Sequence, residues 1–184
     1  ESVIITISED DYIKRMPMNT FREQRRGGQG VAGMQMKRED DTIKGLYVAS
    51  THDYLLIFTS LGRCYWLKVW QIPESSRKSK GKPLINLLED IQPNEKIATI
   101  QRVSSFEGES CILMTTRKGV VKKSALNNFS NPRRKGIWAL DLDEGDEVVA
   151  ARIVNEGQQV MIFTYQGMAV RFAEDKVRPM GRMA

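Results

Sequence analysis

Apolar and polar residues follow one pattern that occurs four times along the chain. Each occurrence is an apolar, β-rich run, a short polar turn, and a second apolar run with basic residues near its end; the segments are 5–15, 57–66, 113–123 and 162–171. Three of the turns carry glycine where a hairpin requires a positive φ, and the first carries Asp11, a residue type that tolerates that region. The pattern predicts four β-hairpins.

A basic segment with glycine at or near its end follows each hairpin, at 24–30, 77–81, 133–136 and 178–182. A strand-like run, an acidic turn and a further strand-like run then follow, and Gly30, Gly81 and Gly136 are 51 and 55 residues apart. A repeated four-stranded unit of about 50 residues is typical of blade architectures. The sequence therefore predicts an all-β, propeller-like fold with repeats at roughly 1–54, 55–110, 111–159 and an incomplete 160–184. Short helical turns are expected only around 69–72 and 124–126.

The composition is that of a globular protein, with 184 residues of which 41% are hydrophobic and 28% charged. No apolar run is long enough to span a membrane. The chain starts without Met, so we expect a piece of a longer, cytosolic protein. Cys64 and Cys111 lie in apolar runs and are predicted to be reduced core thiols. His52 has no neighbours at metal-ligand spacing, so no metal site is predicted.

Positive charge is concentrated in four windows, although the net charge is only +5. The windows 12–38, 63–82, 117–135 and 166–182 hold 24 of the 28 lysines and arginines. A solvated surface mixes its signs, so this segregation predicts a polyanionic partner. Aromatic residues make up only 8% of the chain, which disfavours a platform for stacking single-stranded bases.

The most elaborate basic segment is Gln24-Arg25-Arg26-Gly27-Gly28-Gln29-Gly30. Arginine supplies planar donors that match phosphate oxygens, and glycine allows sharp turns and close backbone approach. Residues 28–33 also match the G-x-G-x-x-G fingerprint of dinucleotide-binding folds. That fingerprint requires a helix after the glycines, whereas strand-like runs follow here, so we reject the dinucleotide interpretation.

The heptad at 24–30 resembles the box motif of the DNA gyrase A C-terminal domain family. The Tyr12-Ile13-Lys14-Arg15 run, the recurring T-x-x-G hairpins and the segment 177–182 also resemble that family. The resemblance implies a β-pinwheel, usually of six four-stranded blades, around whose basic rim DNA wraps without sequence specificity. The wrap would give the positive crossover from which gyrase introduces negative supercoils. Gln29 stands where the family commonly has lysine, and only about three and a half blades are present.

Two sets of DNA-binding residues follow from the resemblance and from the charge pattern. The first is the heptad itself. The second is the remaining basic rim, namely Lys14, Arg15, Arg63, Arg77, Lys78, Lys80, Lys82, Lys122, Lys123, Arg133, Arg134, Lys135, Arg171, Arg178 and Arg182. The partners implied are duplex DNA, the rest of gyrase A and the gyrase B protein in a bacterial A2B2 enzyme, with no membrane and no small-molecule substrate. No catalysis and no cofactor are expected in this chain, because ATP and Mg would be used elsewhere in the enzyme.

Two other functions stay open from the sequence. One is the corresponding domain of topoisomerase IV, which has a degenerate rim. The other is a propeller-type protein-interaction module with an acidic partner. An enzymatic role has least support, because no set of nucleophile, base and orienting residue occurs at recognisable spacing.

Overall fold

The computed structural model describes residues 1–20 and 42–183, and these contain thirteen β-strands and five short 3₁₀ turns. The strands are β1 (Ser2–Ser8), β2 (Tyr12–Pro17), β3 (Ile43–Ser50), β4 (Tyr54–Thr59), β5 (Arg63–Lys68), β6 (Lys82–Pro83), β7 (Ile97–Val103), β8 (Cys111–Thr116), β9 (Val121–Ala125), β10 (Ile137–Trp138), β11 (Val148–Val154), β12 (Gln159–Phe163) and β13 (Ala169–Ala173). The 3₁₀ turns are Met18–Thr20, Val69–Gln71, Leu84–Leu87, Leu126–Phe129 and Glu174–Lys176. The all-β prediction is confirmed. In the described ranges, no helix has the length and apolar character needed to cross a membrane.

The strands form four sheets, each of which contains one of the predicted hairpins. The strand orders are β3-β1-β2-β6, β10-β5-β4-β7, β11-β8-β9 and β12-β13. The hairpins β1–β2, β8–β9 and β12–β13 pair in antiparallel register. These runs form strands because β-branched and aromatic side chains pack well on a pleated, half-buried surface.

The four hairpin turns share one hydrogen-bonding pattern. The hydroxyl oxygens of Ser8, Thr59, Thr116 and Thr164 each accept a bond from the backbone N–H four residues later, at 3.1 to 3.2 Å. The residue before that donor has a positive φ in every turn, with Asp11 at 59°, Gly62 at 91°, Gly119 at 86° and Gly167 at 83°. The predicted hairpins, including the role of Asp11, are confirmed.

The fourth strand of each of the first two sheets comes from the following repeat, an exchange that the sequence pattern did not predict. Strand β6 pairs with β2 through Ile13 and Lys82, and β10 pairs with β5 through Cys64 and Ile137. Both two-residue strands begin directly after the glycine of a basic segment. Each of these basic segments is therefore attached, at its end, to the hairpin of the preceding sheet. The repeat boundaries given above stay a prediction.

The chain divides into two compact units. Unit 1 consists of Glu1–Leu55, Trp66–Ile91 and Arg102–Ser104, and unit 2 of Leu56–Tyr65, Gln92–Gln101 and Ser105–Ala184. In unit 1, β1 and β2 bury Val3, Ile5, Ile13 and Met16. In unit 2, the rings of Phe58 and Phe129 meet edge to face at 5.9 Å. Cys64 and Cys111 are free, buried thiols, as predicted, and burial raises the pKa of both.

Candidate nucleic-acid interface

The described residues include three of the four basic segments. The heptad Gln24, Arg25, Arg26, Gly27, Gly28, Gln29 and Gly30 lies outside the described residues, so its assignment stays a prediction. The other three segments are here named loop A (residues 76–82, in unit 1), loop B (residues 133–136, in unit 2) and loop C (residues 178–182, in unit 2).

The segment just before loop A is hydrogen-bonded to β2, which lies in the same unit. The Arg15 backbone N–H donates to the Pro73 carbonyl, and the Ser75 N–H donates to the Arg15 carbonyl, both at 3.1 Å. Lys78 and Lys82 are exposed, whereas Arg77 and Lys80 are half-buried. The Lys80 ammonium lies 3.6 Å from an Asp10 carboxylate oxygen and 4.2 Å from the centre of the Tyr12 ring. Loop A therefore presents two exposed lysines, while its Lys80 packs against the hairpin.

Loop A ends at a position that requires glycine. Gly81 has φ +88°, and a Cβ there would collide with the carbonyl oxygen of Ile13 and lie 3.0 Å from the Cβ of Lys14. In loop B, Gly136 has φ +71°, and a Cβ would lie 3.1 Å from the Cys64 carbonyl oxygen. Glycine is needed at both positions because the loop backbone passes directly over the preceding hairpin strand.

Loop B is a turn of three consecutive exposed cations. Arg133, Arg134 and Lys135 are all exposed, and the Gly136 N–H closes the turn on the Arg133 carbonyl at 3.0 Å. Trp138, which follows on β10, is 47% exposed. Three solvent-facing cations on a turn with a fixed end can contact consecutive phosphates without moving the sheet beneath them.

Loop C carries the last described basic residues. Arg178 is exposed, and Arg182 is half-buried, where its Nη1 donates to the Trp138 carbonyl at 3.2 Å. The Met180 N–H donates to the Lys123 carbonyl at 2.8 Å. Arg171 is exposed on β13. Loop C is therefore attached to β9 through its backbone, as loop A is attached to β2.

Four residues of the predicted rim require a correction, because the structure buries their charged groups. They are Lys14, Arg63, Lys122 and Lys123. Lys14 Nζ donates to three backbone carbonyls of loop A, Lys122 Nζ to the Arg182 carbonyl, and Lys123 Nζ to the Glu174 carboxylate at 2.6 Å. A charged group that is buried and hydrogen-bonded inside the fold is not presented to a phosphate in solvent. We therefore remove these residues from the candidate interface.

Arg15 is intermediate between the exposed cations of the loops and the four buried cations. Its side chain is 16% exposed, its Nε donates to the Ile72 carbonyl at 3.0 Å, and its Nη1 pairs with Glu74 at 3.3 Å. Most of its donors are directed to the chain that leads into loop A.

Arg63 belongs to a buried network in unit 2. Its guanidinium donates from Nε and Nη2 to the two Glu95 carboxylate oxygens at 2.9 and 2.5 Å, and from Nη1 to the Lys135 carbonyl at 3.2 Å. The Thr59 hydroxyl donates to Glu95 at 2.6 Å. Burial by itself would raise the pKa of the Glu95 carboxyl, but hydrogen bonds from Arg63, Thr59 and the Gln92 backbone outweigh it and the pKa is lowered. The Arg63–Glu95 pair therefore stays ionised, and Arg63 also binds the end of loop B through the Lys135 carbonyl.

The acceptors that bind these buried cations were not predicted from the sequence. Glu95 and Glu174 are buried carboxylates that bind Arg63 and Lys123. A signal for the buried lysine was present in β2, because Lys14 shares one face of that strand with Tyr12 and Met16 rather than with polar residues. A strand that lacks a polar face is typically buried on both faces.

The profile of the family described as DNA gyrase C-terminal domain, beta-propeller, matches residues 2–50, 53–104, 112–155 and 158–184. The chain belongs to this family. The DNA gyrase A protein of Chlamydia muridarum (strain MoPn / Nigg) is 62% identical over 185 residues, which cover 100% of the chain and 22% of that protein. The chain thus spans about a fifth of the length of the curated relatives it matches.

Solved structures agree with the DNA gyrase C-terminal domain family in fold. A C-terminal domain of DNA topoisomerase IV superposes with a TM-score of 0.80 at 24% identity, and covers 100% of the chain and 55% of that structure. A DNA gyrase A C-terminal domain superposes with a TM-score of 0.71 at 23% identity, and covers 100% of the chain and 58% of that structure. These likenesses confirm the predicted β-pinwheel fold. The fold is shared by the gyrase and topoisomerase IV domains and does not distinguish them. The family profile and the 62% identical relative both name gyrase, so they favour the gyrase assignment.

Proposed function

We propose that this chain binds, bends and wraps duplex DNA along its basic loops without reading base sequence. The observation that carries the proposal is the recurrence of one loop design. Loops A, B and C each carry at least one exposed cation, and each is attached through its backbone to the second strand of the hairpin in the preceding sheet. The heptad at 24–30 occupies the corresponding place in the first repeat of the sequence.

Attached loops suit a partner that resists deformation. Bending a duplex of 20–30 base pairs costs roughly 1–6 kcal/mol, so many phosphate contacts have to offset it. Cations such as Lys78, Arg133 and Arg178 can supply those contacts, because each lies exposed on a loop whose backbone is held. Recognition of this kind depends on charge and on DNA deformability rather than on base identity.

The function of the whole protein is part of the same proposal. The wrap would create a positive DNA crossover, and strand passage by the rest of gyrase A together with gyrase B would convert it to negative supercoils. The complete protein would be an ATP-dependent type IIA topoisomerase of A2B2 composition in the bacterial cytoplasm. This chain would have no catalysis of its own, and ATP and Mg would be used elsewhere in the enzyme. The gyrase A relatives support this role.

A salt series tests DNA binding directly. The full-length protein is expected to bind a long duplex with a log K that falls linearly with log salt, at a slope of about −0.9 per phosphate contact. Because wrapping needs contacts on several loops, a duplex too short to reach more than one loop is expected to bind more weakly and with a shallower slope. A slope near zero, or equal affinity for both duplexes, would contradict wrapping and would favour a protein-interaction module.

The heptad can be tested in the same full-length enzyme. Arg25→Ala combined with Arg26→Ala is expected to abolish negative supercoiling but to retain relaxation of supercoiled plasmid, because relaxation does not need a chiral wrap. Gel assays of both activities on one preparation measure the difference. Supercoiling at the wild-type level would mean that these arginines are only part of a turn.

A further inference from the structure

The Lys14 side chain makes an unusual set of contacts beneath loop A. Lys14 lies on β2 with 0% exposure. Its Nζ donates to the backbone carbonyls of Ser76, Arg77 and Ser79 at 3.0, 2.9 and 2.8 Å. An ammonium has three donors, so these bonds use all of them. The acceptors recorded among the described residues are all backbone oxygens of one loop.

A buried lysine is normally compensated by a carboxylate, because an unpaired buried charge is costly. Lys14 instead lies under a loop that itself carries Arg77, Lys78, Lys80 and Lys82. The recorded partners of its ammonium among the described residues are backbone carbonyls, and burial lowers the pKa of Lys14. The arrangement is therefore poorly explained as a stabilising ion pair. The direct effect of the three hydrogen bonds from Lys14 is to fix the backbone of loop A.

Three converging carbonyls determine the conformation of loop A. They come from residues within a span of four, so the backbone curves around the ammonium with these oxygens directed inward. Two further bonds within the loop complete the curve, from the Ser79 N–H to the Ser76 carbonyl at 3.1 Å and from the Gly81 N–H to the Ser79 hydroxyl at 3.2 Å. Lys78 remains exposed at the middle of this curve.

We propose that Lys14 is a positioning residue for duplex DNA binding: its buried ammonium holds the loop A backbone in the shape that presents the loop's cations to phosphates. The proposal rests on the DNA-binding function proposed above. A loop ordered before its ligand arrives loses less entropy on binding. Lys14 thus acts through loop A and does not touch DNA.

The same device occurs independently in unit 2. Arg63 donates to the Lys135 carbonyl at 3.2 Å at the end of loop B, and Lys122 donates to the Arg182 carbonyl in loop C. Each of these buried cations lies on the second strand of a hairpin, and each bonds to a backbone carbonyl of the basic loop in the following repeat. The recurrence indicates a rule of this fold: buried cations order the loops, and exposed cations on those loops meet the polyanion.

Hydrogen exchange of the full-length protein tests whether Lys14 holds the loop. In Lys14→Met, the amides of Ser79 and Gly81 are expected to exchange about tenfold faster or more, because the loop opens locally. Lys68→Met is the matched control, since Lys68 Nζ also donates to a backbone carbonyl of unit 1, that of His52 at 3.0 Å, but does not contact loop A. Unchanged exchange in loop A for Lys14→Met would overturn the proposal.

DNA binding tests whether loop order matters for function. Lys78→Ala should reduce the salt slope by about 0.9, the value of one phosphate contact, whereas Lys14→Met should reduce it by about twice that or more, because several cations lose their position. A smaller change for Lys14→Met than for Lys78→Ala would overturn the positioning role. If instead the wild-type protein shows no salt-dependent binding, the proposed function fails, and the exchange result still decides whether Lys14 orders loop A.

A second variant covers the case in which Lys14→Met unfolds the first sheet. Exchange at the β1 amides Val3 to Ile7 reports on that sheet. If it also rises, Lys14→Gln is used, because its amide keeps N–H donors on a neutral, shorter side chain. The proposal is supported if Lys14→Gln leaves β1 exchange unchanged and gives a loop A exchange rate between the rates of wild type and Lys14→Met. A loop A exchange rate in Lys14→Gln equal to that of wild type overturns it.

Discussion

Replacing Glu95 with alanine is expected to lower the free energy of unfolding of the region around β4 and β5 by about 3–5 kcal/mol. The Glu95 side chain is 0% exposed and the Arg63 side chain 7%. Alanine would leave the Arg63 guanidinium buried without its carboxylate, which is the costly way to break a buried ion pair. Amide hydrogen exchange of β4 and β5 in the full-length protein measures the change. Glu107→Ala, at an exposed position, is the control and should have little effect.

A double variant separates the cost of the unpaired charge from the contribution of the pair. Arg63→Met combined with Glu95→Leu removes both charges together, so it is expected to cost clearly less than Glu95→Ala alone. A double variant as unstable as the single one would mean that packing or the Lys135 carbonyl bond, rather than charge pairing, dominates the network.

The same network predicts a pH dependence with a definite sign. Because the pKa of Glu95 is lowered in the folded protein, the unfolded chain binds the proton more readily. The stabilisation is therefore complete above the unfolded pKa and is lost as pH falls through the lower folded pKa. Exchange protection of β4 and β5 should decline in this acidic range, and the Glu95→Ala variant should lack this part of the decline.

Replacing Arg133, Arg134 and Lys135 together with alanine is expected to give the largest loss of DNA affinity among the described loops. If each cation contacts one phosphate, the salt slope should fall by about 2.7, and affinity near 0.1 M salt by about a hundredfold or more. The three side chains are exposed, and the loop B turn is closed through backbone atoms, so the fold should be retained. Titration of a long duplex over a salt series measures both quantities.

The matched control for loop B is Arg117→Ala combined with Lys118→Ala. Both residues are exposed cations of unit 2, but they donate to the Gly145 and Glu144 carbonyls at a hairpin turn rather than on a basic loop. This pair should change the slope much less than the loop B variant. Equal losses would mean that DNA senses the total charge of the chain rather than particular loops.

The prediction of the hairpins was successful because their determinants are local. Thr59 and Gly62, for example, lie within one turn, where the hydroxyl bonds to the backbone four residues on and the glycine adopts φ +91°. The first hairpin shows that the turn depends on a hydroxyl acceptor and a positive φ rather than on particular residue types. Ser8 and Asp11 replace threonine and glycine there with the same geometry. The positions of the basic loops followed from the repetition of this unit.

The assignment of basic residues to the interface could not be made in the same way. Lys14 and Lys78 are both lysines in a basic window, yet one is fully buried and the other is exposed. The difference arises from partners that are distant in sequence: Lys14 bonds to Ser76, 62 residues away, and Arg63 to Glu95, 32 residues away. The charge pattern along the sequence does not distinguish buried cations from exposed ones.

The sequence by itself determined the all-β repeat, the hairpin turns, the family and the places of the basic loops, because each depends on short-range conformational preference or on a repeated motif. Only the tertiary structure decided that β6 and β10 complete the preceding sheets, and which cations face solvent. Strand pairing and burial depend on which distant segments meet. A carbonyl oxygen, present in every residue, can bind a buried lysine without leaving any mark in the sequence.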